Sequence, residues 1–138
     1  MVMTFDTKIA VVLRKDLPVW QKLNVTAFTI SGIAGGIPDV IGENYEDASG
    51  NVYLPMMKQP ILIFEADAGQ IHRVYERALQ RNVAFTVFTE DLFATGNDID
   101  NRAAVKAKKS AELNLVGMAL RDRKKTIDRV LDGLTLHK

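Results

Sequence analysis

Apolar residues gather along the chain in four short blocks separated by segments of mixed character. KIAVVL (8–13) and PILIFEA (60–66) are almost uninterrupted, as strands covered on both faces tend to be. VAFTVFT (83–89) is rich in β-branched and aromatic residues, and LNLVGMAL (113–120) is the fourth strand candidate. Between the second and third blocks, Ile71, Val74, Tyr75, Ala78 and Leu79 recur at the spacing of one buried helical face. Asp67 and Gln70 form a capping-box pattern ahead of that helix, and Asn82 suits a left-handed exit. Strand 60–66, this helix and strand 83–89 therefore read as one βαβ unit.

Other segments fill in the frame. A first helix is expected from about Trp20 to Ala34, with Trp20, Leu23, Ala27 and Phe28 inward and a stop at Gly35–Gly36. A last helix over KKTIDRVLDGL buries Ile127, Val130, Leu131 and Leu134, with Asp122 as its N-cap; Gly133 either ends it or weakens its last turn. Residues 42–57 alternate around a D-A-S-G-N turn and predict a small surface hairpin. The long connection 94–113 has room for a short helix over 101–112. Alternating strands and helices predict an α/β, three-layer α/β/α sandwich, the first three strands parallel and the fourth antiparallel.

Composition narrows the class. A chain of 138 residues with 47% hydrophobic and 25% charged residues reads as a single globular domain, 1–138. With a net charge of +1, no field covers the whole molecule to draw it onto nucleic acid or an anionic membrane, so any such contact rests on a local patch. The absence of cysteine removes disulfides, thiolate nucleophiles and Cys-based zinc sites. Asp6 and Lys8 interrupt the region where a signal peptide needs an apolar stretch, and no run approaches a membrane span, so a cytoplasmic protein is expected.

Candidate chemistry is sparse. His72 and His137 are both expected at the surface, away from strand carboxyl ends; neither a Ser-His-Asp triad nor a metal or cofactor site is expected. Gly32, Gly35 and Gly36 follow a helix pattern rather than a strand, so they read as helix termination and not as a phosphate loop. Just past the third strand lie Glu90, Asp91, Thr95 and Asn97, and just past the first lie Asp16 and Lys22. Parallel strands open both loops on one sheet edge, where a carboxylate, an ammonium and a hydroxyl can orient a water or polarise a carbonyl. The same residues are ordinary turn and cap formers, and spacing alone favours that simpler reading.

Two basic clusters complete the inventory: Lys106, Lys108 and Lys109, and then Arg121, Arg123, Lys124 and Lys125. The second surrounds the start of the last helix, where positive charge opposes the dipole but suits a bound anion. No aromatic residue is interleaved with either cluster, so no single-strand stacking surface is indicated and a solvated face is the default.

With Arg14, Asp16 and Leu17 at the end of the first strand, Lys22 early in the first helix and DLFAT after the third strand, the chain resembles the type-2 (archaeal and eukaryotic) peptidyl-tRNA hydrolases, and most of all an uncharacterised bacterial offshoot of that superfamily. The strand-end pattern Arg-x-Asp-Leu is matched by Arg14, Asp16 and Leu17, the early helical lysine by Lys22, and the Asp-Ala-Gly-x-Thr turn by DLFAT, with Asp91 and Thr95 in place. The resemblance implies a mixed four-stranded sheet in the order 2-1-4-3, a homodimer, and metal-free attack on an ester. In that chemistry Lys22 stabilises the oxyanion, Asp91 with Thr95 positions a water, Asp16 completes the catalytic set, and Arg14 is a binding residue of the pocket wall. The family's helical glutamine and histidine are replaced, by Thr26 or Ala27 and by Thr29 or Ile30; Gln21 and Phe93 stand where it has glycines. The expectation is therefore a divergent, metal-independent ester hydrolase with an altered small-molecule or RNA ligand. The alternative is a non-catalytic nucleotide- or RNA-binding module using Lys106, Lys108, Lys109, Lys124 and Lys125, or a homodimeric regulatory module.

Overall fold

The computed structural model describes residues 4–138. The first three residues of the expected 1–138 domain lie outside the described residues. In chain order the elements are β1 (Thr7–Arg14), α1 (Val19–Gly36), β2 (Tyr45–Glu46), β3 (Val52–Tyr53), β4 (Ile61–Ala66), α2 (Ala68–Gln80), β5 (Ala84–Thr89), α3 (Asp98–Lys106), β6 (Leu115–Arg123), α4 (Lys124–Val130) and β7 (Thr135–Leu136). One mixed sheet runs β5-β6-β1-β4-β7, and β2 with β3 forms a separate two-stranded hairpin. β4 lies parallel to β1, while β6 is antiparallel to both β1 and β5, so β1, β4 and β5 all point the same way.

The nearly continuous apolar runs have a simple cause. β1 is covered on both faces: Ala10 and Val12 join one core cluster, Ile9, Val11 and Leu13 the other. The first cluster packs the sheet against Ile71, Val74 and Ala78 of α2 and Ile127 and Val130 of α4. The second packs it against Val25 and Ile33 of α1. α2 begins with the reciprocal Asp67–Gln70 capping box and is followed by Asn82 at φ 52°, as its sequence predicts.

Several expectations are corrected. The sheet has five strands rather than four, because the two residues of β7 pair antiparallel with Phe64 and Glu65 at the edge. A two-residue strand carries no periodicity to read. The last helix stops at Val130 instead of continuing to Leu134, and Gly133, at φ 93°, makes the turn into β7. Asp122 is not the N-cap, since β6 runs directly into α4 and Arg123 holds that position. The short helix falls at Asp98–Lys106, capped by the Asn97 side chain accepting from Asp100 N, rather than over 101–112.

The largest correction concerns α1. Trp20, Leu23 and Phe28 point outward, at 62%, 68% and 54% exposure, and the buried stripe is Val25, Thr29 and Ile33. Small groups on both sides let helix and sheet approach closely. A Cβ on Gly117 would overlap Val25 Cγ1, and one on Gly32 would overlap Thr86 Cγ2. Thr86 seals the contact, its hydroxyl donating to Thr29 O (2.9 Å) and accepting from Ala119 N (3.2 Å). Bulky residues have no room in that interface and are turned to the outer side.

Candidate active site

The carboxyl ends of β1, β4 and β5 share one sheet edge, where open α/β sheets place their ligands. At the end of β1 the chain turns tightly into α1, and Lys15 N donates to Ala66 O (3.0 Å), tying the turn to β4. Arg14 closes a planar fork on Asp16: Nε to Oδ1 and Nη2 to Oδ2, both 2.9 Å. Its Nη1 donates to Asn114 Oδ1 (2.7 Å), and the Asn114 amide bonds in turn to Glu90. The hydrogen bond to Arg14 holds the Asp16 carboxyl below its ordinary value, with the charge of Lys22 adding to the effect. The same bond raises the guanidinium above its own. Arg14 and Asp16 are thus engaged with each other, and Arg14 staples the β1, β5 and β6 ends together.

Lys22 sits in the first turn of α1 and makes no hydrogen bond to that staple among the described residues. Its ammonium lies 3.0 Å from Nε2 of His137, just past β7. His137 is anchored through its backbone, whose N–H donates to Ile63 O (2.8 Å), and its Nδ1 lies 2.9 Å from Lys138 O. An Nδ1–H tautomer satisfies both ring nitrogens: Nδ1 donates to that carbonyl, and Nε2 accepts from the ammonium. Beside the pair opens a cavity of about 470 Å³ walled by Leu13, Val19, Leu23, Ala27 and Ile63. Lys22 and His137 supply polar groups to an otherwise apolar wall, since the hydroxyl of Thr26 is spent on Lys22 O (2.7 Å). Neither Asp91 nor Thr95 lines this cavity.

Asp91 and Thr95 belong to the short 3-10 segment Glu90–Ala94 and its exit. Lys108 Nζ lies 2.8 Å from Asp91 Oδ2. The contact with Asp91 raises the Lys108 ammonium above its ordinary value. The Thr95 hydroxyl sits between Leu92 O (2.9 Å) and the Asn101 side chain. Phe93 packs edge-on to Trp20 and tilted against Phe88, clamping the turn to α1. Among the described residues, no hydrogen bond or ion pair joins Lys22 to Asp16, Asp91 or Thr95, and no three His, Asp or Glu side chains converge as a metal site.

The basic residues separate. Lys106 ends α3, Lys108 is paired with Asp91, and the Lys109 N–H donates to Glu112 Oε1 (3.1 Å), all near the carboxyl edge. Lys124 and Lys125 open α4 at the opposite edge, one length of β6 away. Nine residues of strand span roughly 30 Å, so the two clusters form no single track. The seven residues of α4 also make its dipole a weak anchor for an anion. His137 is the site residue that sequence reasoning missed: 115 residues separate it from Lys22, and no local pattern marks the contact.

The structure thus defines a mixed-sheet α/β protein with a small apolar cavity at the strand ends, served by one ammonium and one imidazole. The chain belongs to the family described as protein of unknown function (DUF2000), whose model matches residues 7–138. It is similar to a solved structure of a protein of unknown function from Agrobacterium tumefaciens strain C58, at 44% identity and a TM-score of 0.95, covering 98% of this chain and 100% of that one. No match was found among curated proteins. No helix among the described residues is long and apolar enough to cross a membrane.

Proposed function

We propose that the chain is a divergent member of the type-2 peptidyl-tRNA hydrolase-like superfamily, acting as a metal-independent ester hydrolase on a small ligand with an apolar body. The observation that carries this is the ammonium–imidazole pair of Lys22 and His137, 3.0 Å apart, beside an apolar cavity at the carboxyl edge of the sheet. The walls take up the apolar body of the ligand. Lys22 turns its N–H donors to the ester oxygen as that atom gains charge. This frees Nε2 of His137 to accept a proton from the attacking water, whose oxygen bonds to the acyl carbon. The alkoxide then leaves, taking that proton back from the imidazolium.

In this reading Arg14 and Asp16 form the adjoining wall, Asp16 offsetting the charge of Lys22, and Asp91 with Thr95 positions the neighbouring turn rather than a water. The Arg14-x-Asp16-Leu17 strand end supports the superfamily assignment, as does the placement of β1 between parallel β4 and antiparallel β6. The outward apolar residues Val19, Trp20, Leu23 and Phe28 support a homodimer through α1.

Hydrolysis of p-nitrophenyl esters of graded acyl length tests the chemistry. Lys22→Ala and His137→Ala are each expected to lower kcat/KM by about 100-fold, the scale of one oxyanion donor or one general base. Asp91→Ala is expected to stay within a few-fold of wild type. Equal rates for all four proteins would remove the hydrolytic role.

A further inference from the structure

The edge opposite the Lys22 cavity holds a second and larger concavity, a groove of about 880 Å³. It lies where β1 begins and β6 ends, and Lys124 N donates to Asp6 O (3.1 Å), joining the two. Five cations line it, Arg81 from the end of α2 and Arg123, Lys124, Lys125 and Arg129 from β6 and α4. Two carboxylates, Asp6 and Asp122, share the lining, which leaves a formal +3 on a chain whose total is +1. The rest of the surface is therefore net negative, and positive potential is concentrated here.

What sets these cations apart is their gathering in one concavity with no carboxylate paired to any of them among the described residues. Lys8, Arg14, Arg102 and Lys108 each pair with a carboxylate, whereas among the described residues none of the five groove cations does. Asp128, the acid nearest them on α4, is taken by Lys8 at 2.7 Å. Asp122 spends Oδ1 on its neighbour's backbone N–H at 2.6 Å. Unpaired like charges gathered in one concavity repel each other and gain from an anion that bridges them.

The groove also contains an aromatic ring, supplied from far away in sequence. Phe5, half-buried beside the start of β1, lines it together with the cations. Cations with an adjoining ring are the means by which proteins hold a phosphate and stack its base.

We propose that this groove binds a nucleoside di- or triphosphate, the phosphates on Lys124, Lys125 and the arginines and the base against Phe5. The volume is of the size that such a ligand needs. The site shares no residue with the Lys22 cavity, so the two proposals stand or fall separately.

Isothermal titration with ADP as the probe tests it. Saturable binding is expected, weakening at least about 10-fold between 50 and 200 mM salt as counterions compete for the phosphates. Lys124→Ala with Lys125→Ala is expected to weaken it a further ~10-fold, and the paired Gln variants, which keep the side-chain stems, to do the same. Phe5→Ala should cost ADP about 5-fold or more while leaving pyrophosphate unaffected, because only the base stacks. Lys22→Ala, at the far edge, should bind ADP like wild type. Thermal unfolding of each variant without ADP separates lost binding from lost fold. No saturation at millimolar ADP, or indifference to both lysine pairs, overturns the site. Pyrophosphate binding as tightly as ADP overturns base recognition, and a ten-nucleotide single-stranded RNA outcompeting ADP overturns the free nucleotide in favour of a strand.

Discussion

Arg14 shows how a charged cluster at a strand end can be consumed by structure. Its five N–H donors are rigidly arranged, so one side chain both forks onto Asp16 in its own turn and bonds to Asn114 ahead of β6. Lysine could not make that fork. Gly117 acts by absence instead: a methyl group there would overlap Val25 and push α1 off the sheet. Gly117→Ala is expected to destabilise the fold by about 1–3 kcal/mol, the range for overpacking a filled core, read as a lower urea midpoint at unchanged m-value. A stability equal to wild type would mean that α1 shifts freely, against the tight contact described here. The sequence marks Gly117 only as a glycine inside a strand. Its reason lies in Val25, far along the chain.

At the scale of elements, the β2–β3 hairpin is organised by a single carboxylate. Asp47 accepts from Ser49 N (2.9 Å), Asn51 N (3.0 Å), Asn51 Nδ2 (3.0 Å) and the Tyr53 hydroxyl (2.7 Å). These bonds, that of Tyr53 first, lower the Asp47 pKa to about 2 and raise the Tyr53 phenol above its ordinary value. A folded pKa below the unfolded one stabilises the hairpin above the unfolded value, near 4, and that contribution fades as pH falls through about 2. Two-dimensional NMR between pH 5 and pH 1 should show Ser49 and Asn51 amide shifts moving with a midpoint near 2 while sheet amides stay put. A midpoint near 4 would mean that the bonds do not hold the carboxylate. The hairpin's existence was legible from its D-A-S-G-N turn; the tyrosine clasp was not, since it depends on which face Tyr53 takes. α1 makes the same point more sharply. Its apolar residues outnumber what one face can bury, and only the glycine-lined approach to the sheet decides which of them turn inward.

On the scale of the molecule, the sheet gives the protein two poles. Lys22, His137 and the apolar cavity lie at the carboxyl edge, and the unpaired cations lie at the other. Between them α1 leaves Val19, Trp20, Leu23 and Phe28 in contact with water, the surface on which the proposed homodimer would form. Light scattering coupled to size exclusion is expected to report a dimer, and Trp20→Glu with Leu23→Glu to convert it to a folded monomer. A monomeric wild type at high micromolar concentration would overturn the dimer.

The sequence by itself determined the alternation of strands and helices, the capping of α2 and the opening of the first and third strand ends on one edge. Those features follow from local periodicity, capping chemistry and the handedness of βαβ connections, which act over a few residues to a few tens. It also placed Arg14, Asp16, Lys22, Asp91 and Thr95 near that edge. Only the tertiary structure decided how they are spent: Arg14 on Asp16, Asp91 on Lys108, Thr95 on Leu92 and Asn101, and Lys22 on a histidine 115 residues away. Side chains of this length reach many partners from one backbone position, and which they meet depends on β7 docking at β4 and on α1 lying close against β6. Neither event leaves a periodic trace in the chain.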